Sequence, residues 1–467
     1  MAGASDADDR AFFGDPKALA YLAFTEAWER FSYYGMQTLL VLYMVHQLLL
    51  PGHVEHAVGL GVLRGWLAHG RPLGDQAFAS AIFGLYAGLV YLTPILGGFL
   101  ADRLLGRTPT VILGACLMAA GHFLMAFDTS FLLALVCLML GSGCFKGNLA
   151  TQVGSLYSEG DNRRADAFQI YYMGISAGVI ISPFVTGTLG EKVAWHYGFG
   201  AAGIGMLISI AIYLAGRKHL PPDPPLRAKA KADRPAMTRK EWGKVILLLA
   251  MLPFLAASIV GNNQIFNAYL VWAERSADLH LFGIPILTTW MVSVDAIVSV
   301  SCLVGMVVFW RVWAKRFKEP DELGKIVIGC FIGGAGVACL AIGSTIAQAA
   351  GGKVGFGWLL LFHLLNDIGF ANVLPVGLAL YARSAPRPIA GTVIGFYYWH
   401  LFAGNTAVGW LGGFLEKMPA AQFWLMHAAI VCGAGVAFIF VRLIFGRILA
   451  GGAVEPDLVA ADAGRAP

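Results

Sequence analysis

Charge is scarce in this chain: Asp, Glu, Lys and Arg make up 13% of the residues, against 58% that are apolar. A soluble domain normally carries about twice that share of charge, so an ordinary soluble fold is excluded. Cysteines are few, and the seven (Cys116, Cys137 and Cys144 among them) show no paired spacing. They form neither a disulfide frame nor a metal-ligand motif and read as small helix-packing residues. A secretory leader is not expected: Asp6, Asp8, Asp9 and Asp15 stand where a basic segment would be needed, and the first apolar run is too long for one. No His-x-x-Glu-His cluster and no serine elbow is present, which argues against an enzyme. The net charge of +5 is modest and its basic residues sit between apolar runs, a pattern that orients a membrane protein and does not make a nucleic-acid surface.

What the chain does have is apolar length. Stretches of about 20 residues, enough to cross a bilayer as helix, number twelve. They fall near 19–48, 77–100, 108–127, 130–153, 167–189, 196–216, 244–272, 286–311, 326–349, 355–382, 389–415 and 421–447. The expected fold class is therefore an all-α integral membrane protein. Between the sixth and seventh spans lies Pro221-Pro222-Asp223-Pro224-Pro225, followed by Arg227, Lys229, Lys231, Arg234, Arg239 and Lys240. This Pro-stiffened basic linker divides the chain into a six-helix bundle (1–216), a linker (217–244), a second six-helix bundle (245–447) and a tail (448–467).

Loops after even-numbered spans hold Arg103 and Arg107, Arg163 and Arg164, the linker, the run Arg311 to Lys325, and Arg383 and Arg387. Loops after odd-numbered spans hold isolated charges such as Lys192, Arg275, Lys353 and Lys417. Both termini are thus expected on the cytoplasmic side. The longest outer loop, 51–75, carries His53, His56 and His69, expected to be solvated since nothing nearby completes a metal site. Six plus six spans around a cytoplasmic linker is the plan of the major facilitator fold, whose two halves rock around a midplane cavity. The segment Gly97-Gly98-Phe99-Leu100-Ala101-Asp102-Arg103-Leu104-Leu105-Gly106-Arg107 resembles that superfamily's cytoplasmic loop signature. Asp102, Arg103 and Arg107 are expected to form a charge latch there.

The first span contains Thr25-Glu-Ala-Trp-Glu-Arg-Phe-Ser-Tyr-Tyr-Gly35, which places Glu26, Glu29 and Arg30 on one helical face, with Tyr33, Tyr34 and Gln37 continuing it. Ionisable groups in hydrocarbon cost several kcal/mol unless they line a watery cavity and pair, so the stripe marks an ion or substrate path. Lys146, in the middle of the fourth span, must likewise find a counter-charge or lose its proton. Glu26, Glu29, Arg30 and Lys146 sum to zero when all are ionised. Protonating one glutamate unbalances the set and frees Arg30 or Lys146 for an anion, which couples proton uptake to carboxylate binding.

Four segments together resemble the proton-coupled oligopeptide transporter family. They are Glu26-x-x-Glu29-Arg30-Phe31-Ser32-Tyr33-Tyr34-Gly35-Met36, Gly84-Leu85-Tyr86-x-x-Leu89-Val90-Tyr91-Leu92-Thr93-Pro94, Gly141-x-Gly143-x-x-Lys146-Gly147-Asn148 and Tyr171-Tyr172-Met173-Gly174-Ile175-Ser176-Ala177-Gly178. The resemblance runs over nearly the whole chain and is tighter in the first half. It implies a proton-driven importer of di- and tripeptides in a bacterial inner membrane, with a glutamate as proton site and Arg30 or Lys146 facing the peptide carboxylate. Tyr33, Tyr34 and Tyr86 would line the peptide site, with Ser176 standing where asparagine is usual. A same-fold transporter of another small zwitterionic or anionic solute is the alternative. The expected partners are a small peptide, protons and the lipid bilayer, with no nucleic acid, no cofactor and no metal; the expected state is a monomer.

Three departures from the family pattern bear on the site. Gln37 replaces an arginine, and Gly261-Asn262-Asn263-Gln264 lacks the usual acid, so a neutral outer gate between Gln37 and Asn263 or Asn262 is expected. In the tenth span Phe370 stands where a glutamate would anchor the peptide amino group. Asp367, one turn earlier with Asn366 and His363 nearby, either takes over that role or pairs structurally with a residue such as His400. Asp295, where asparagine is usual, is either a second proton site or a neutral core acid.

Overall fold

In hydrocarbon the backbone has no water to bond, so each apolar run must satisfy its own N–H and C=O groups by coiling into helix. A computed structural model of the chain describes residues 10–68, 70, 72–158, 161, 163–223 and 237–450. Arg227, Lys229, Lys231 and Arg234 of the linker, His69, and the tail from 451 lie outside these described residues.

Helical rods follow the expected order. In chain order they are α1 (Lys17–Tyr43, prolonged by a π-helical turn Met44–Leu48), α2 (Asp75–Leu89, resuming as Thr93–Leu100), α3 (Arg107–Leu124), α4 (Phe131–Gly154), α5 (Arg163–Ser182, prolonged to Lys192) and α6 (Trp195–Gly216). The second set is α7 (Arg239–Ser258, prolonged to Ser276), α8 (Trp290–Trp313), α9 (Glu322–Ala349), α10 (Phe356–Ser384), α11 (Ala390–Tyr397, then Trp399–Gly412) and α12 (Ala420–Ala450). Among the described residues, nine helices are long and apolar enough to cross a membrane; α1, α3 and α11 complete the dozen.

Local chemistry sets the ends. Thr238 and Glu241 cap α7 reciprocally, the Thr238 hydroxyl accepting from the Glu241 N–H and the Thr238 N–H donating to the Glu241 carboxylate at 2.8 Å. Asp321 caps α9 by accepting from the Gly324 N–H at 2.9 Å, and its carboxylate also meets Arg442 of α12 at 3.0 Å. Pro94 has no N–H to donate, and α2 is interrupted just before it at Val90–Leu92.

The structure differs from the sequence expectation in three places. The seventh span is not one smooth helix: it breaks at Ile259 and again at Asn267, whose backbone is non-helical at φ −126° and ψ −111°. The outer loop contains a helix, Leu60–Ala68, and its His53 is tied to Asp128 at 2.6 Å, with the Tyr43 hydroxyl donating to the same carboxylate at 2.7 Å. Beyond α7 a hairpin forms, β1 (His280–Leu281) pairing antiparallel with β2 (Ile284–Pro285) around Phe282 and Gly283, both at positive φ.

The first six helices meet the last six mainly through α1–α7, α2–α11 and α5–α8. Gly84 and Gly409 meet backbone to backbone: a Cβ on Gly84 would lie 2.5 Å from the Gly409 Cα, so the crossing of α2 on α11 requires the bare backbone of both. Five hydrogen bonds cross between the two sets among the described residues. They are His46 Nε2 with Glu274 Oε2 (2.6 Å), Gln76 to the Gly412 carbonyl (3.1 Å), the Thr289 N–H to Glu191 (2.8 Å), the Trp290 indole to Thr188 (3.0 Å) and Ser293 to the Ile180 carbonyl (2.8 Å). All lie in the half of the bundle away from the start of α1 and the end of α12. The bundle is sealed there, and none crosses at the opposite end.

Candidate functional site

The stripe on α1 is drawn together as its spacing requires. Arg30 folds back along its own helix so that its Nε lies 2.7 Å from Glu26 Oε1 and 2.9 Å from Glu29 Oε2. Glu26 and Glu29 are buried to 1% and 0% exposure, so the two carboxylates depend on this cation for their charge. The helix α5 closes over them. A Cβ on Gly178 would sit 2.3 Å from the Ala27 carbonyl and 3.0 Å from Arg30 Cβ, and this close approach brings Tyr171 of α5 against Glu26. The terminal N–H groups of Arg30 bond to no protein atom among the described residues. They are the donors left for an incoming anion, in the fork that suits a carboxylate.

Lys146 joins this group differently from the expected ion pair. Its Nζ lies over the face of Tyr33 at 3.8 Å from the ring centre, while the Arg30 guanidinium approaches the same ring at 6.0 Å. No carboxylate comes within ion-pairing distance of Lys146 among the described residues, although Glu29 and Glu26 act on it electrostatically. The aromatic face holds the ammonium in place of a counter-ion. The buried Tyr86 hydroxyl on α2 has no hydrogen-bond partner and lies within the electrostatic reach of Glu29. Tyr34, half-buried, packs on Tyr33 and on Phe266 of α7, the point where the first-half lining meets the second.

In the last six helices the structure unites residues the sequence left apart. Asp295 of α8 and His363 of α10 bond through Oδ1 and Nδ1 at 2.9 Å, and His363 Nε2 meets the Tyr269 hydroxyl of α7 at 2.9 Å. Asn262 donates to Asp367 Oδ1 at 3.4 Å. Asp295, His363 and Asp367 lie close enough for their ligating atoms to surround a metal ion, a grouping that no sequence spacing announced. His400 does not pair with Asp367; its Nδ1 turns to the Tyr397 carbonyl of its own helix.

Two expected contacts are absent from this conformation among the described residues. Gln37 makes no bond to Asn262 or Asn263, and its buried Oε1 is unpartnered, because Asn262 is turned to Asp367. The sealing contact lies elsewhere, at His46–Glu274, two residues that no spacing along the chain pairs. Asp102 forms no ion pair with Arg103 or Arg107; instead Asp223, at the start of the linker, accepts from the Thr108 N–H at 2.9 Å and from its hydroxyl. Ser176 bonds to the Tyr172 carbonyl of its own helix, and Asn263 is half-buried beside the α7 break.

Comparison with known proteins gives a consistent picture. The POT family model matches residues 108–234. A peptide transporter of Yersinia enterocolitica, YePEPT, is 29% identical over 93% of this chain and 96% of its own length. A di-/tripeptide transporter of Lactococcus lactis subsp. cremoris is 29% identical over 84% of this chain and 88% of its own length. Among solved structures, a peptide transporter POT in complex with sulfate superposes with a TM-score of 0.82 at 25% identity, covering 94% of this chain and 97% of that one. A mutant of a peptide transporter POT, in complex with alafosfalin, gives 0.82 at 25% identity over 95% and 98%.

Proposed function

We propose that the chain, similar to the POT family in residues 108–234 and to peptide transporters over most of its length, is a proton-coupled symporter that imports di- and tripeptides by alternating access. The observation that carries this reading is the Glu26–Glu29–Arg30 cluster, buried yet left with free guanidinium donors. In the sealed state Arg30 is shared between two carboxylates. A proton on Glu29 removes one of its two anions, and the guanidinium then turns its fork to the carboxylate of the peptide. Lys146, held by a ring and not by an acid, is free to follow. Proton and peptide carboxylate thus favour each other's binding, which is the reciprocity that symport needs.

Tyr33, Tyr34, Tyr86 and Gln37 supply a lining with apolar faces and hydroxyl or amide tips, suited to a peptide backbone with varied side chains. On the far side, the acids Asp295 and Asp367 supply the complement to the substrate's ammonium, with Asp295, whose side chain is 12% exposed, more open to solvent than Asp367. Ser176 and Asn263 are secondary lining positions. The basic loops support cytoplasmic termini in a bacterial inner membrane; with that orientation the sealed end is periplasmic and this state is inward-facing. Each positive charge carried inward gains about 2.3 kcal/mol per 100 mV of membrane potential. The protein acts as a monomer, with protons as the coupling ion and no further cofactor.

Phe370, half-buried where the family's amino-group anchor would stand, favours a second reading, transport of another small zwitterionic or anionic solute on the same fold. One experiment separates the two. Purified protein in liposomes, given an inward pH gradient, is expected to accumulate labelled dialanine above the level of empty vesicles. Accumulation no greater than in empty vesicles would sink the peptide reading.

A further inference from the structure

Asp295, His363 and Asp367 form a buried cluster on α8 and α10, remote in sequence from the α1 stripe, with ligating atoms all within 4.8 Å of one another. Counting donors shows what it lacks. His363 is fully buried and uses both ring nitrogens, Nε2 toward the Tyr269 hydroxyl and Nδ1 toward Asp295. A neutral imidazole satisfies both contacts if the Tyr269 O–H donates to Nε2 and Nδ1–H donates to Asp295. Asn262 donates to Asp367 Oδ1, and Asp367 Oδ2 is left buried with no donor among the described residues, in a residue only 1% exposed. The Asp367 carboxyl lies within 4.8 Å of that of Asp295. Two ionised carboxylates so close repel, and an unpaired buried oxygen carries a further penalty of about 1–3 kcal/mol. A single proton removes both costs.

We propose that Asp295 and Asp367 share one proton, held in place by His363 and Tyr269, and that this pair is a second proton store in the last six helices. The remaining ionisable groups within electrostatic reach are Cys302 of α8, which feels both acids, and Tyr34 of α1, which feels Asp295 weakly. On α9, Gly329, Gly333 and Gly336 lie against the backbone of α10 along this stretch. When the proton leaves, the Asp367 O–H bond breaks, its electron pair stays on the carboxylate, and the proton passes by way of the partly exposed Asp295 to water in the open cavity. The cluster then goes from one negative charge to two, which strengthens its hold on an ammonium group. Proton release here and binding of the substrate's amino end therefore reinforce each other, the opposite sense to the α1 cluster, where proton uptake favours the carboxylate end.

This inference deepens the proton-coupling reading above, and its test uses no substrate, so that its failure and a failure of peptide transport are distinguishable. Infrared difference spectra of the purified protein, recorded across a pH titration, are expected to show a protonated-carboxyl C=O band that vanishes in Asp367→Asn, with one fewer proton released per protein. Glu29→Gln is expected to leave that band in place. Asp295→Asn, which removes the partner, should also abolish or shift the band, and size-exclusion profiles would show that both variants are folded. An unchanged band in both folded second-half variants overturns the proposal. So does stoichiometric binding of Zn²⁺ or Mg²⁺ by the wild-type protein that Asp367→Asn removes, since a divalent cation would then occupy the place of the shared proton.

Discussion

At the scale of single residues, Arg30 explains more of the site than any other side chain. One nitrogen, Nε, lies within 2.9 Å of two carboxylates, so the cation is the hinge on which their protonation turns. Glu29 is the acid with neither oxygen in a well-aligned hydrogen bond, whereas Glu26 Oε1 accepts from Arg30 in good geometry. Glu29 is therefore the acid more easily relieved of its charge. We expect Glu29→Gln to lower gradient-driven accumulation about tenfold or more, equivalent to ~1.4 kcal/mol or more of lost coupling, while counterflow exchange survives. Normal accumulation by that variant in liposomes would remove Glu29 from the coupling mechanism. The pattern of i, i+3 and i+4 made this cluster legible in the sequence. The seat of Lys146 on Tyr33 was not, because a cation–π contact between two helices depends on how those helices are rotated.

At the scale of elements, the crossing of α2 on α11 governs closure of the outer end. Gly84 and Gly409 touch through backbone atoms, and a methyl group on Gly84 would meet main chain on the opposite helix, which cannot step aside as a side chain can. Gly84→Ala is expected to disfavour the sealed state by about 1–3 kcal/mol, the usual cost of overpacking. The check is electron–electron distance measurement between spin labels placed on the outer ends of α2 and α11: a longer distance is expected, together with slower uptake. An unchanged distance would mean that the helices separate at no cost. The breaks in α7 at Ile259 and Asn267 belong to the same scale. With the helix broken there, Asn262 bonds to Asp367 and Gln37 lacks the neutral partner that an unbroken helix would predict.

At the scale of the whole molecule, five hydrogen bonds bind the two six-helix sets at one end and none at the other among the described residues, which is one state of a rocking cycle. The outermost bond, His46–Glu274, has both side chains 37% exposed, so its worth is small, about 0–1 kcal/mol. Glu274→Gln should accordingly shift the sealed population by no more than about fivefold, seen as increased labelling of a cysteine introduced in the outer vestibule. A complete loss of sealing would show that this pair, and not the glycine crossing, holds the outer end.

The sequence by itself determined that the chain crosses a membrane as two sets of helices, because apolar length is a local property and hydrocarbon leaves the backbone no alternative to helix. It also determined the α1 cluster, because residues three and four apart on one helix must meet. What only the tertiary structure decided is everything that depends on two helices facing each other. Asp295, His363, Asp367 and Tyr269 come from three helices, and no spacing along the chain encodes the rotations that converge them. The same holds for His46 with Glu274 and for Asp223 with Thr108, where the partner is selected by packing across the bundle and not by neighbourhood in the chain.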